Sequence, residues 1–153
     1  MVNGEKRNMK ISTKGRYGLR AMLDLAIHSG SHVSIGAIAE RQDVSANYLE
    51  QVFASLRKGG LVKSIKGAQG GYVLADKPDN ISVGMILRVL EGDLAIVDNE
   101  NTQLDNQMEY CLKNVVWDKM NASINQVADS ITLEDLVKQY NLLNGNLSLM
   151  AYI

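Results

Sequence analysis

The sequence predicts a mainly α-helical fold with one small β-hairpin, and three observations predict it. Apolar residues recur at helical spacing in the stretches 19–26, 49–56, 83–90 and 112–131. Two short β-rich runs flank a glycine-rich segment from Lys66 to Gly71. Serine or threonine heads most helical stretches, where its side-chain oxygen can accept from an unpaired amide of the first turn. A chain of 153 residues buries one core of ordinary size, so a single domain with an appended element is expected and a second catalytic domain does not fit.

Thr13 caps a first helix running to about Ser29, with Gly30 suited to the left-handed C-terminal position. Within it Leu19, Met22, Leu23 and Ala26 fall on one side while Ala21 and Leu25 widen the apolar surface, the pattern of a buried scaffold helix. Ser34 opens a short helix from Ile35 to about Gln42. After Asp43 and Val44, Ser45 opens another that runs through Lys58 and is closed by Gly59 and Gly60. There Leu49, Val52, Phe53 and Leu56 form one stripe, which leaves Asn47, Gln51 and Lys58 on the opposite face for a polar partner. Leu61 to Ile65 and Tyr72 to Ala75 read as the two strands of a hairpin. Pro78 marks a boundary, and Ser82 caps a helix to Glu91 carrying Val83, Ile86, Leu87 and Leu90.

Residues 92–106 are acidic and amide-rich without helical periodicity and read as a mobile loop. From Gln107 to Ser130 the helical pattern returns. Leu112, Val116, Met120 and Ile124 make an i+4 ridge continued by Val127 and Ile131, more apolar than a single contact needs, which implies a partner helix. Thr132 caps a final short helix with Leu133, Leu136 and Val137 on one side, and from Asn141 a polar tail leads to Tyr152 and Ile153. The expected plan is a disordered extension at 1–8, a helix-turn-helix with hairpin at 9–80, a linking helix and acidic loop at 81–106, and a dimerisation helix, short final helix and tail at 107–153.

The formal charge of -1 is uninformative, but its distribution is not. Through residue 75 eleven basic residues face five acidic ones, a net of +6; beyond it five face twelve, a net of -7. A basic half beside an acidic half suits a protein that attracts phosphate with one surface only. One cysteine excludes an internal disulfide, and with only two histidines beside it an ordinary four-ligand zinc site is not available. His28 and His32 read as surface or capping residues. No apolar run approaches the roughly 18 residues of a membrane span and the polar first eight residues lack a signal-peptide core, so a cytoplasmic protein is expected. No nucleophile, base and orienting group stand in a catalytic motif, so an enzyme is not expected. The glycines at 67, 70 and 71 do not make a nucleotide loop, because neither phosphate-loop pattern is present and a strand follows them.

Helix, helix, turn, helix and hairpin in this order make a winged helix-turn-helix, whose second motif helix enters the major groove. Asn47 or Gln51 can pair with adenine, Glu50 can accept from cytosine, Tyr48 can reach phosphate or a thymine methyl, and Ser45 joins them in meeting bases and backbone. Lys10, Lys14, Arg16 and Tyr17 are candidate phosphate contacts. Lys66, Gly67, Gln69 and Gly70 form a wing tip suited to the minor groove. The rival reading is a winged-helix module whose basic face meets an acidic protein; steep salt dependence with preference for a palindrome distinguishes DNA.

The segments Met9 to Leu19, Tyr48 to Gln51, Leu56 to Tyr72 and Leu90 to Gly92 resemble the Rrf2 family of IscR/CymR-type regulators, with likeness over nearly the whole chain from Met9. The resemblance implies a homodimer in which the long helix bearing Leu112, Val116, Met120, Ile124 and Val127 crosses its mate, so that two recognition helices meet a pseudo-palindromic operator. Many members hold an iron-sulfur cluster with three loop cysteines. Here Cys111 falls at the last of those places, but Asp105 and Asn99 stand six and twelve residues upstream. One thiolate does not supply a conventional cluster, so no cofactor is expected. Cys111 then reads as a small helix residue or as a redox-reactive thiol. Within the family the chain is similar to the cysteine-metabolism repressors of Gram-positive bacteria. That likeness implies cysteine synthase (O-acetylserine thiol-lyase) as a partner, with Tyr152 and Ile153 of the tail entering a pocket built for an amino-acid substrate.

Overall fold

The structure, a computed structural model, describes residues 10–68, 70–97 and 106–151, with side chains through residue 145. The expected extension at 1–8, Gln69, most of the acidic loop and the terminal pair Tyr152 and Ile153 lie outside the described residues. The elements are α1 (Thr13–Ile27), α2 (Ile35–Gln42), α3 (Ala46–Lys58), β1 (Val62–Ile65), β2 (Gly71–Leu74), a 3-10 turn (Pro78–Asn80), α4 (Val83–Glu91), α5 (Gln107–Leu112), α6 (Asp118–Ser130) and α7 (Leu133–Ala151). A mainly helical fold with one antiparallel hairpin is what the sequence predicts.

Serines set where the first four helices begin. Each sits in extended backbone and accepts an amide three residues on: Ser12 from Gly15 at 3.3 Å, Ser34 from Ala37 at 3.1 Å, Ser45 from Tyr48 at 3.1 Å and Ser82 from Met85 at 3.1 Å. Such a cap contributes about 1 kcal/mol by satisfying an orphan donor. The first cap is therefore Ser12 and not Thr13, which is already helical. α1 also stops at Ile27, earlier than Ser29, because the His28 ring bonds the Asp24 carbonyl at 2.9 Å and closes the last turn from the side chain. Gly30 is not in the left-handed region. The turn between α2 and α3 instead places Asp43 there, at φ 53°, a conformation a short polar side chain tolerates.

The core joins α1 through α4, the start of the hairpin and the start of α7. Met22 and Leu25 of α1, Ile38 of α2, Leu49, Val52, Phe53 and Leu56 of α3, Ile86 of α4 and Leu133 of α7 are buried together. α1 and α4 touch backbone to side chain: a Cβ at Gly18 would overlap Leu90, and one at Gly15 would overlap the Glu91 carboxylate. That carboxylate instead accepts from the Ser12 amide at 3.0 Å and from its hydroxyl, so α4 also secures the start of α1.

The C-terminal half differs from expectation in two ways. Residues Lys113–Trp117 form a π-helical turn between α5 and α6, and the backbone stays right-handed helical through both junctions. The wider turn rotates the apolar ridge of α5 relative to that of α6. Val116 is turned partly inward, and Val115, 55% exposed, joins Leu112, Met120, Ile124 and Val127 on the outer stripe. The final helix is also not short: α7 continues through Asn141 and the residues beyond it, where the sequence suggests a polar tail, as far as Ala151. Leu133 is fully buried and its amide bonds the Ile81 carbonyl at 2.9 Å, which fixes the start of α7, and Leu142 and Leu143, strong helix formers with no proline after them, let the helix run on past Asn141. Of the loop after α4, residues 94 and 96 are held to α6, with Ile96 donating to Asn121 at 2.8 Å and Asn125 donating to the Leu94 carbonyl at 3.2 Å.

A buried carboxylate ties α1 to α2. Asp24, 4% exposed, accepts from Arg41 Nη2 at 2.7 Å and from Gln42 Nε2 at 2.8 Å. Burial pushes its carboxyl up, but the hydrogen bonds of Arg41 and Gln42 and the charge of Arg41 outweigh it and hold the group below the ordinary aspartate range. The resulting stability is present above the ordinary aspartate pKa and is lost as pH falls through the depressed one. Arg41→Ala strands the buried charge and is expected to cost about 3 kcal/mol at neutral pH, measured by urea unfolding. The difference between variant and wild type is expected to shrink as the carboxyl protonates in acid.

Candidate nucleic-acid interface

The apolar stripe of α3 is fully spent on the core: Leu49, Val52, Phe53 and Leu56 are each 0 or 1% exposed. At about 100° per residue the remaining positions must face outward, and Asn47, Glu50, Gln51, Ala54, Arg57 and Lys58 are all exposed. Asn47, Glu50 and Gln51 thus share one solvent face in the first half of the helix. Their groups match major-groove chemistry, amides for adenine and a carboxylate for the cytosine amine. Ser45 caps this helix, so its oxygen lone pair is in use while its hydroxyl hydrogen remains a donor.

Tyr48 occupies the flank of α3. Its half-buried ring packs edge-on against Tyr17 of α1, with centroids 6.2 Å apart and planes at 84°. Arg20 lies over the other ring, 5.0 Å from the Tyr17 centroid, and also donates from Nε to the Gln42 side chain at 3.2 Å and from Nη2 to the Gln42 carbonyl at 3.3 Å. Lys14 bonds Ser55 of α3 through Nζ at 3.2 Å, and Ser55 in turn donates to the Gln51 carbonyl at 3.3 Å. An ammonium has three donors, so Lys14 keeps capacity for a phosphate beside α3. Lys10 and Arg16 are exposed near the start of α1. The structure therefore gathers Lys14, Tyr17 and Tyr48 around α3. Arg20, Gln42 and Ser55 are not evident from the sequence; the (i, i+3) spacing of Tyr17 and Arg20 on a helix is the available signal.

The hairpin follows α3 and packs against its buried side. β1 and β2 pair in antiparallel register with Val62 opposite Leu74 and Ile65 opposite Gly71. Two contacts fix its angle. Phe53 of α3 packs on Tyr72 with ring centroids 4.9 Å apart, and Tyr72 exchanges backbone hydrogen bonds with Val33 at 3.0 and 2.8 Å. Gly71 permits the second contact, since a Cβ there would strike the Val33 carbonyl. At the tip Lys66, Gly67 and Ala68 are exposed, Gly67 takes φ 140°, and the Gly70 amide bonds the Gly67 carbonyl at 3.1 Å. Gln69, the remaining tip candidate, lies outside the described residues.

Comparison with known proteins agrees with the fold. Residues 11–139 match the Rrf2 family, described as an iron-dependent transcriptional regulator. The chain is 47% identical over 129 residues to the HTH-type transcriptional regulator CymR of Bacillus subtilis, covering 84% of this chain and 89% of the relative. The solved structure of CymR (YrzC), the global cysteine regulator of B. subtilis, superposes with a TM-score of 0.74 at 45% identity, covering 85% of this chain and 97% of that one. The structure of T. potens IscR gives a TM-score of 0.68 at 51% identity, with 86% and 88% covered. The donors of this chain do not fit a cysteine-ligated cluster: the single thiol, Cys111, is exposed on α5, and Asn99 and Asp105 lie outside the described residues. Among the described residues no group of three or more His, Cys, Asp or Glu side chains is placed to hold a metal ion.

Two substitutions separate base reading from phosphate contact. Gln51→Ala is expected to cost about 1 to 3 kcal/mol on a preferred site and much less on random DNA, measured by fluorescence anisotropy. Lys14→Ala is expected to weaken both and to lower the log-log salt slope by about one. Equal losses from Gln51→Ala on the two DNAs would remove its assignment to base reading.

Proposed function

The chain belongs to the Rrf2 family of transcriptional regulators, and from that premise we propose that it is a homodimeric repressor of cysteine and sulfur metabolism genes acting on a pseudo-palindromic operator. It is a DNA-binding transcription regulator and not an enzyme, as its family is. The observation that carries the DNA reading is the polar outer face of α3, with Asn47, Glu50 and Gln51 exposed on a helix whose other side is locked into the core beside a basic wing. Lys10, Lys14, Arg16 and Tyr17 flank that face as phosphate contacts, and Lys66, Gly67, Gln69 and Gly70 enter the minor groove. Regulation takes place in the cytoplasm; among the described residues no helix is long and apolar enough to cross a membrane.

The dimer is supported by the outer stripe of the C-terminal helices. Leu112, Val115, Met120, Ile124 and Val127 are each at least 40% exposed, a run of apolar side chains that a lone subunit leaves in water. A two-fold partner covers such a stripe with its own copy. Met120→Glu combined with Val127→Glu is expected to convert the dimer to monomer in sedimentation equilibrium and to abolish tight operator binding. A dimer that survives both changes places the interface elsewhere.

Likeness to a cysteine regulator supports the choice of target genes. The test is retention of fragmented genomic DNA at two salt concentrations, with sequencing of the retained fragments. Palindromic sites upstream of cysteine or sulfur genes are the expected result. Palindromes elsewhere remove the metabolic assignment, and no enrichment removes the DNA reading in favour of a protein-interaction module. In the same proposal Tyr152 and Ile153 engage cysteine synthase. Deletion of Ile153 is expected to weaken that complex at least tenfold by calorimetry; unchanged affinity removes the partner.

A further inference from the structure

Arg20 belongs to neither the phosphate-contacting nor the base-reading group, yet it touches the first helix of the helix-turn-helix directly and reaches the second through Tyr17. Its Nε and Nη2 donate to the side chain and carbonyl of Gln42, the last residue of α2, at 3.2 and 3.3 Å. Its guanidinium also covers the Tyr17 ring at 5.0 Å, and Tyr17 meets Tyr48 in the first turn of α3. Gln42 is anchored in its turn by the buried Asp24 carboxylate at 2.8 Å. A continuous path thus runs from a buried charge in α1, through the end of α2, to the turn of α3 that carries Asn47, Glu50 and Gln51.

That turn needs outside support. The first amides of a helix lack intrahelical partners, and Ser45 satisfies the one at Tyr48. Asn47 and Glu50 are exposed and Tyr48 is half-buried, so in this turn only Leu49 is fully held by the core. The Tyr17 ring is the packing surface on the flank of Tyr48. A guanidinium is suited to hold that surface, because its planar fork makes two hydrogen bonds while its face stacks on an aromatic ring.

We propose that Arg20 is a positioning residue for sequence recognition: by gripping the end of α2 and the Tyr17 ring together, it fixes the direction in which the first turns of α3 present Asn47 and Gln51 to the bases. The proposal rests on the DNA reading given above. It assigns Arg20 to specificity: the two arms of its fork that grip Gln42 carry the role, and the salt slope decides whether its remaining donors also meet a phosphate. An amide that is rotated away from a base edge loses the bidentate pair but leaves phosphate contacts in place.

The test uses the full chain, the fragment that wild type retains from genomic DNA, and a shuffled sequence of the same composition. Arg20→Ala is expected to lower the ratio of affinities for the two DNAs about tenfold, with shuffled-DNA affinity held within about twofold and the salt slope unchanged. Amide hydrogen exchange of the free protein is expected to quicken at residues 48–51 and to stay unchanged in α4. Arg20→Lys keeps the charge without the fork and is expected to behave like alanine. An unchanged ratio overturns the proposal. Equal weakening on both DNAs with a slope reduced by about one also overturns it, showing a phosphate contact. Full rescue by lysine overturns the role of the fork. Wild type that does not distinguish the two DNAs overturns the DNA reading instead, and exchange at 48–51 then still judges whether Arg20 holds the turn.

Discussion

The burial of one stripe on α3 is the constraint on which the rest depends. Leu49, Val52, Phe53 and Leu56 leave almost no surface in water, and each contributes on the order of 2 kcal/mol of transfer free energy. Helical geometry then leaves no freedom about the outward positions: Asn47, Glu50 and Gln51 are exposed because their neighbours are not. The same Phe53 packs on Tyr72, so the side chain that fixes the helix also fixes the hairpin beside it.

α1 is the beam against which these parts are set. Gly15 and Gly18 let α4 approach, Glu91 accepts from the Ser12 amide and hydroxyl at the head of α1, and the buried Asp24 holds Arg41 and Gln42 at the end of α2. The other side of α4 is tied to the C-terminal half through Arg88, which donates to both oxygens of Asp129 at 2.6 and 2.9 Å. Its hydrogen bond lowers the Asp129 carboxyl below the ordinary range. α4 therefore packs against α1 and α3 on one side and, on the other, against α6, which carries Met120, Ile124 and Val127 of the exposed apolar stripe.

Much of this is legible in the sequence, and the reasons differ by element. Short-period signals survive: three of the four serine caps, the stripe of α3 and the paired strands arise from local chemistry that the core reinforces. The exceptions come from interactions distant in sequence or from changes in helical phase. Ser12 rather than Thr13 caps α1 because the cap also meets Glu91, 79 residues away. Val115 replaces Val116 on the outer stripe because a π turn breaks the i+4 count. The final helix reads as short in the sequence because Asn141 and Asn144 look like a polar tail, whereas burial of Leu133 anchors α7 from its first turn. In the candidate site the outward face of α3 is readable from periodicity. The supports beneath it, Arg20, Gln42 and Ser55, are not, since side-chain bonds between helices leave no periodic mark.

Chemical footprinting of the operator complex tests the central claim most directly, using dimethyl sulfate to probe guanine N7 in the major groove. A dimer presenting two copies of α3 predicts two protected blocks on one face of the duplex, related by a dyad and separated by about 10 base pairs or a whole multiple of that spacing. A single protected block, or protection without two-fold symmetry, would contradict it.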